Sequence, residues 1–501
     1  MNFNIAETLI HRARLTPDDE GFVGQNYRYT FKEINMRVNR FAAYLREQGV
    51  LPGERVAVLC KNNDHLALCI YASAKIGSVT VILNWRLQTA ELDYILNNCG
   101  ATFLLYDGEF DDTVNQLRNT IAVRSYLRKG EQSPDVEFES ALAKQTDSEP
   151  QLSQGGDDAA IIMYTSGTTG KPKGAVLTHN NLLWSSLGLS HTLDWNYKDR
   201  FLLLAPIFHI GGLAPLVTNV HKGATTVFVP NFDPNSIWAT IASEKITSMM
   251  SVPLMLQAML IVARAKKIDA TSLRWLMCGA SAVPESLIRA YLEIGVRVQQ
   301  VYGITEFSGG VTFWLHNMPL AKCHTHGKPI FFSRLKVVDP LTGVEKLPGE
   351  VGEILCKGPA VFKEYWDNPK ATGEAIVDGW YRSGDLGKVD DEGYFTVVDR
   401  LKDMIISGGE NIYPAELEAV IMTHPAVAEV AVIGLPQSKW GEIPIAHIVT
   451  KPNASVEPDD IFRLCKEKLS SFKCVKEVRF LESLPKNPVG KILKHALKES
   501  E

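Results

Sequence analysis

A chain of 501 residues, 45% hydrophobic and 22% charged, has room for a large buried core in roughly two to four domains, which excludes disordered, fibrous and disulfide-stapled classes. Its 52 basic and 57 acidic residues leave a formal net charge of −5, which argues against a dedicated nucleic-acid binder. The eight cysteines, at 60, 69, 99, 278, 323, 356, 465 and 474, form no C-x-x-C pair and read as core filler in a reducing cytoplasm.

Met1 to Glu7 lacks a basic stretch followed by an apolar one, so no secretory signal is expected. Arg55 to Cys60, His65 to Ile76, Val79 to Leu83 and Ala90 to Asn97 alternate strand-like and helical runs, the rhythm of βαβ units and a parallel sheet. The apolar run Ala159 to Met163 reads as a buried strand feeding the segment Tyr164 to Gly174. That segment carries the hydroxyls of Thr165, Ser166, Thr168 and Thr169, the glycines Gly167, Gly170 and Gly174, and the cations Lys171 and Lys173. Such a set suits an anion with several charges, of which a nucleotide triphosphate is the first choice. A mononucleotide P-loop is rejected, because its first glycine would be Thr165 and the hydroxyl residue after its lysine would be Pro172.

A helical pattern resumes from Asn180 to Leu189, and Phe201 to Ala205, Thr225 to Val229, Trp275 to Cys278 and Val296 to Val301 continue the α/β alternation. Among these, Pro206 to Gly212 sets His209 in apolar surroundings. Met249 to Ala263 falls short of the roughly 20 residues a bilayer needs and reads as a core helix. Gly279-Ala280-Ser281 is a small-residue turn that lets backbone approach a ligand. In Tyr302-Gly303-Ile304-Thr305-Glu306 the tyrosine offers a flat ring to a base, and Glu306 an oxygen of the kind Mg²⁺ prefers. His324 and His326 have no third ligand in view and read as surface.

Beyond Thr325, Gly/Pro turn clusters between short strands indicate an antiparallel, barrel-like part over residues 325–400. Within it Asp385 can accept both hydroxyls of a ribose, and Arg400 adds a charged donor. A domain boundary is expected near Lys402, separating 1–401 from a small α+β domain, 402–501. In that domain Gly408-Gly409-Glu410 makes a loop able to lie against a ligand, and Lys491 stands in a Pro/Gly-rich strip.

Taken together, Tyr164 to Gly174, Tyr302 to Glu306, Tyr381-Arg382-Ser383-Gly384-Asp385, Asp399 to Asp403 and Pro485 to Leu493 resemble, in the same order, the motifs of the adenylate-forming superfamily of acyl-CoA synthetases, peptide adenylation domains and luciferases. The resemblance covers essentially the whole chain. It implies an α/β fold, with a large N-terminal AMP-binding domain built on parallel-rich sheets and a small mobile C-terminal domain. It also implies roles. The 164–174 segment, with Thr168 at its centre, holds phosphates; Gly279, Ala280 and Ser281 border adenine and acyl group; Tyr302 and Gly303 face adenine, Thr305 a phosphate, and Glu306 Mg²⁺. Asp385 holds the ribose hydroxyls, Arg400 adds a donor on the ribose or phosphate side, and Lys491 reaches the α-phosphate and carboxylate during adenylation. The acyl pocket falls to Trp184, Phe208, His209, Gly279, Phe307 and Gly309, the hinge to Lys402, and the thioester step to Gly408, Gly409, Glu410 and Trp440.

The chemistry is consistent with these roles. A carboxylate has no usable leaving group, so it is placed in line with the α-phosphorus while the charge that builds there is neutralised. The acyl-AMP that forms is open to a thiolate, and no protein nucleophile is needed. Pro206 to Gly212 holds no acid to bind an amino group, and Asp233 reads as a turn residue, so the tail of the acid is expected to be uncharged. Arg400 to Asn411 and Lys439 to Glu442 are closest in texture to bacterial fatty-acyl-CoA synthetases. The expected reaction partners are a small carboxylic acid, ATP and CoA, with no nucleic acid and no integral membrane segment; peripheral membrane contact and a homodimer are compatible with the sequence. Alternatives are an aromatic or alicyclic carboxylate–CoA ligase, a fatty-acyl-AMP ligase serving a carrier protein, and a nucleotide-binding regulator without catalysis.

Overall fold

The computed structural model describes residues 2–130, 135–153, 155–165, 171–281, 283–407, 410–437, 440–470, 473–486 and 492–500. The chain folds as two units, Met1–Leu335 with Cys356–Arg382, and Lys336–Leu355 with Ser383–Glu501. All eight cysteines are buried thiols outside any disulfide, as core filler should be.

Strands such as Arg55–Leu59 and Val79–Ile82 are apolar along their length because helices cover both faces, which is the setting of parallel sheet. The first unit holds two such sheets. In the nine-stranded one, Val298–Ile304, Trp275–Cys278, Ser248–Ser251, Arg200–Leu203, Thr225–Phe228 and Glu20–Gly24 are parallel neighbours, with antiparallel strands at either edge. The eight-stranded sheet is parallel from Ala159–Thr165 through Val79–Ile82, Arg55–Leu59, Ala101–Asp107 and Ser125–Lys129 to Val136–Glu137. Its other edge adds the antiparallel strands Lys173–Thr178 and Glu364–Tyr365. Parallel strands share one direction, so the loops after their carboxyl ends gather on one edge of each sheet, where α/β proteins hold ligands.

Two sequence readings change. Met249 to Ala263 is a parallel strand, Ser248–Ser251, followed by the helix Pro253–Ala265, on which Leu254 and Ile261 stand 71% and 70% exposed. Pro253 can open a helix but not sit within one, so the run breaks there. The phosphate segment joins two antiparallel strands, and the helix His179–Thr192 follows the second of them behind a Thr178 capping box.

The expected antiparallel part is present: Trp380–Val389 pairs with Ile376–Val377 and with Phe395–Arg400. In the second unit, Val427–Gln437 and Gly441–Thr450 form a long hairpin extended by Ile405–Ser407, Glu410–Ile412 and Glu477–Phe480. The helices Pro414–Ile421 and Pro458–Lys468 contribute Leu417, Ile421 and Ile461 to its core.

Candidate active site

In the nine-stranded sheet Cys278 lies level with Gln300, which sets Gly279 beside Val301. A Cβ on Gly279 would stand 2.5 Å from the Val301 carbonyl oxygen, so the closeness of the two strands requires glycine. Ala280 adopts a left-handed φ of 67°, and Ala280 and Ser281 are exposed, leaving open backbone beyond the strand end. On the neighbouring strand Tyr302 is half-buried with its ring edge-on to His326, centroids 6.2 Å apart, and Gly303 is exposed. His326 is therefore not the surface residue the sequence suggested. It sits half-buried on the Tyr302 ring, and burial lowers its pKa to about 4, which keeps it neutral.

Tyr302 leads directly into the turn Thr305–Phe307, in which Glu306 is only 9% exposed. Its carboxylate Oε1 accepts the hydroxyl of Tyr365 at 2.7 Å, and its backbone carbonyl accepts the Phe362 N–H at 2.8 Å. Tyr365 belongs to the strand paired with Lys173–Thr178, opposite Ala175, and the Lys173 ammonium lies 5.3 Å from its ring centroid. The base of the phosphate segment and Glu306 thus meet through one tyrosine. At the same base Thr165 Oγ1 reaches the Lys173 carbonyl at 3.5 Å, and the Lys171 ammonium lies over Tyr94 at 5.5 Å. Ser166, Gly167, Thr168, Thr169 and Gly170 lie outside the described residues. This set suits a metal–phosphate ligand: the buried Glu306 carboxylate is a hard donor of the kind Mg²⁺ takes, and the two lysines of the segment complement phosphate.

His209 precedes the helix Ile210–Lys222, and burial together with the Arg86 charge lowers its pKa to about 4. Its Nε2 is buried and has no hydrogen-bond partner among the described residues. Phe208 meets Trp85 edge-on at 6.2 Å, and the Arg86 guanidinium lies over both rings. A cavity of about 30 Å³ opens here, with Asn62, Trp85, Arg86 and Pro206 in its wall. Asn62, which the sequence did not single out, donates to the carbonyls of Leu203 and Ala205 and accepts the Ile207 N–H at 2.9 Å. One buried amide thereby ties the end of a strand in one sheet to the His209 loop of the other. The remaining pocket residues are placed differently. Trp184 packs edge-on against Phe332, Phe307 is fully buried, and Gly309 is approached by Ser185 and Ala214 from the helices His179–Thr192 and Ile210–Lys222.

In the second unit Asp385 and Arg400 face one another across two strands, and Arg400 Nε lies 2.7 Å from the buried Asp385 Oδ1. The residue expected on the ribose and the one expected on the ribose or phosphate side are thus side by side. Lys402 is exposed in the turn Leu401–Asp403, Glu410 is exposed at the start of its strand, and Trp440 is 46% exposed at the tip of the long hairpin. Gly408, Gly409 and Lys491 lie outside the described residues.

A second polar cluster was not foreseen. At the carboxyl ends of Arg55–Leu59 and Ala101–Asp107 in the eight-stranded sheet, His65 Nε2 and Asp107 Oδ1 are 2.6 Å apart, with Cys60 beside them. Asp107 also accepts the Lys61 N–H at 2.8 Å. The nearby carboxylates raise the His65 pKa to about 9 against the opposing effect of burial, so this is an imidazolium–carboxylate pair.

Comparison with known proteins agrees with this geometry. Residues 9–366 match the family model of the AMP-binding enzyme, and residues 416–491 that of the AMP-binding enzyme C-terminal domain. A long-chain-fatty-acid–CoA ligase of Mycobacterium tuberculosis is 38% identical, over 99% of this chain and 98% of the relative. A feruloyl-CoA synthase of an Amycolatopsis species is 39% identical, over 97% and 96%. The crystal structure of ATP-bound MatB from Rhodopseudomonas palustris superposes with a TM-score of 0.92 at 29% identity, over 100% of this chain and 99% of that one. The chain belongs to the AMP-binding enzyme family and is an ATP-dependent, AMP-forming acyl-CoA synthetase.

Proposed function

We propose that this enzyme activates a fatty acid as its acyl-AMP and then forms the fatty-acyl-CoA. A carboxylate oxygen attacks the α-phosphorus of ATP and expels pyrophosphate; the CoA thiolate then attacks the acyl carbon and expels AMP. The observation that carries the reading is the junction of Lys173, Tyr365 and Glu306 at the base of the phosphate segment, close along the chain to Tyr302. Glu306 would hold Mg²⁺, which supplies positive charge to the phosphate oxygens when bound. Lys171 and Lys173 bind phosphate, Tyr302 and the open Gly279–Ser281 backbone receive the adenine, Asp385 and Arg400 take the ribose, and Lys491 neutralises charge at the α-phosphate. After adenylation the domain beyond Lys402 rotates, withdrawing Lys491 and bringing Gly408, Gly409, Glu410 and Trp440 to the thioester step.

The neutral His209 and the aromatic wall of Phe208 and Trp85 support an uncharged acyl tail. A second reading, an aromatic acid, is favoured by the 39% identity to a feruloyl-CoA synthase. A panel of straight-chain acids from acetic to stearic, with benzoic, ferulic and cyclohexanecarboxylic acids, scored by pyrophosphate release with and without CoA, separates them. The fatty-acid reading expects the highest kcat/KM among the straight-chain acids and CoA-dependent AMP release; a maximum at ferulic or benzoic acid would replace it with the second reading.

A further inference from the structure

Tyr365 stands at a junction that no sequence motif announced. Its backbone is fastened twice to the base of the phosphate segment: its strand pairs with Lys173–Thr178, and the next residue, Trp366, donates its N–H to the Gly174 carbonyl at 2.7 Å. Its own N–H is held by Thr372 Oγ1 at 2.9 Å, and its ring packs on Phe362 at 4.7 Å. The side chain is 8% exposed, with the Lys173 ammonium over the ring face, the Glu306 carboxylate on the hydroxyl and the Tyr381 hydroxyl within hydrogen-bonding reach. Phe362, three residues upstream, also donates its N–H to the Glu306 carbonyl, so both backbone and side chain of Glu306 are gripped by the segment 362–365.

We propose that Tyr365 is the positioning residue that presents Glu306 to the metal–phosphate and couples it to Lys173. The hydroxyl donates to Oε1 and so restrains the rotation of the carboxylate. The ring face holds the ammonium by cation–π attraction without neutralising it, which leaves Lys173 charged for phosphate. An outer partner that orients a metal carboxylate typically contributes tenfold or more to metal affinity. The inference rests on the reading of Glu306 as the metal carboxylate.

Tyr365→Phe removes the hydroxyl and keeps the ring, so the Lys173 contact and the packing on Phe362 survive. The test is Mn²⁺ binding to the full-length protein, followed by electron paramagnetic resonance with a non-hydrolysable ATP analogue present, for wild type, Tyr365→Phe, Glu306→Gln and the double variant. Circular dichroism and a cooperative melt establish that each is folded. Tyr365→Phe is expected to weaken Mn²⁺ about tenfold, and to add less than twofold when Glu306 is already glutamine, because the two substitutions act on one group. Wild-type Mn²⁺ affinity in Tyr365→Phe, alongside weakened binding in Glu306→Gln, would overturn the role of Tyr365 alone. The same tenfold loss in both backgrounds would also overturn it, since the hydroxyl would then act elsewhere. Unchanged binding in Glu306→Gln would remove the metal reading of Glu306 and this inference with it.

Discussion

The two sheets of the first unit end in opposite ways. At the carboxyl edge of the eight-stranded sheet, the Asp107 carboxylate pairs with His65 Nε2 and accepts the Lys61 N–H in a buried cluster, with Asp64 Oδ1 3.5 Å from His65 Nδ1. At the same edge of the nine-stranded sheet the residues are Gly279, exposed Ala280 and Ser281, half-buried Tyr302 and Glu306. The first set is a cluster of paired charges, and the second brings together open backbone, an aromatic ring and a carboxylate. A parallel sheet offers a ligand edge by topology alone, but whether the edge is used depends on which side chains stand there. Paired charges make a structural clasp, whereas glycine, small residues and one held carboxylate make the candidate site.

Breaking the clasp should have the largest effect on folding and little on chemistry. Asp107→Asn removes the nearer of the two carboxylates that face the buried His65 and is expected to cost about 3–5 kcal/mol in urea unfolding, while kcat per folded molecule changes little. Its pH dependence follows from His65. A folded pKa raised to about 9, above the unfolded value, means the stabilisation is full below about pH 6.5 and is lost as pH rises through 9. The difference in unfolding free energy between wild type and His65→Gln should therefore shrink between pH 7 and pH 10.

Attacking the residues assigned to the reaction should give the converse. Lys491→Ala is expected to lower pyrophosphate release by about 10²–10³-fold, or roughly 2.7–4 kcal/mol, with the melting temperature unmoved and synthetic acyl-AMP still converted to thioester. Gly279→Ala fills the gap to Val301, and because a backbone carbonyl gives way poorly it should cost about 1–3 kcal/mol, read as weaker binding of AMP by calorimetry together with a lower melting temperature. Lys402→Pro sharpens the comparison from outside the sheets. It should keep single-turnover pyrophosphate release within about tenfold of wild type, roughly 1.4 kcal/mol, while thioester formation from acyl-AMP and CoA falls much further. Equal loss in both half-reactions would move the hinge elsewhere.

The open edge was largely legible in the sequence because its residues act in short strings: Tyr302 to Glu306 is one strand end, Gly279 to Ser281 another, and each shows its chemistry in consecutive side chains. The clasp was not legible, since His65 and Asp107 stand 42 residues apart and each alone reads as an ordinary polar residue. Tyr365 escaped for the same reason, 59 residues from Glu306, as did Asn62, whose amide bonds reach more than 140 residues along the chain. His326 was misjudged because its neighbour His324 is exposed, and only folding sets the two on different sides of the backbone environment. The α/β class was readable from alternating runs, whereas the strand Lys173–Thr178 was hidden behind the loop that precedes it and the helix that follows.

The central claim, that the open edge joins a carboxylate to the α-phosphate and lets CoA release AMP, is tested most directly by isotope transfer. A preferred acid labelled with ¹⁸O in both carboxylate oxygens is turned over with ATP and CoA, and the AMP and pyrophosphate are weighed by mass spectrometry. Attack by a carboxylate oxygen on the α-phosphorus, followed by cleavage of the acyl carbon–oxygen bond, puts one ¹⁸O in each AMP and none in pyrophosphate. Unlabelled AMP, or ADP and phosphate in place of AMP and pyrophosphate, would contradict it.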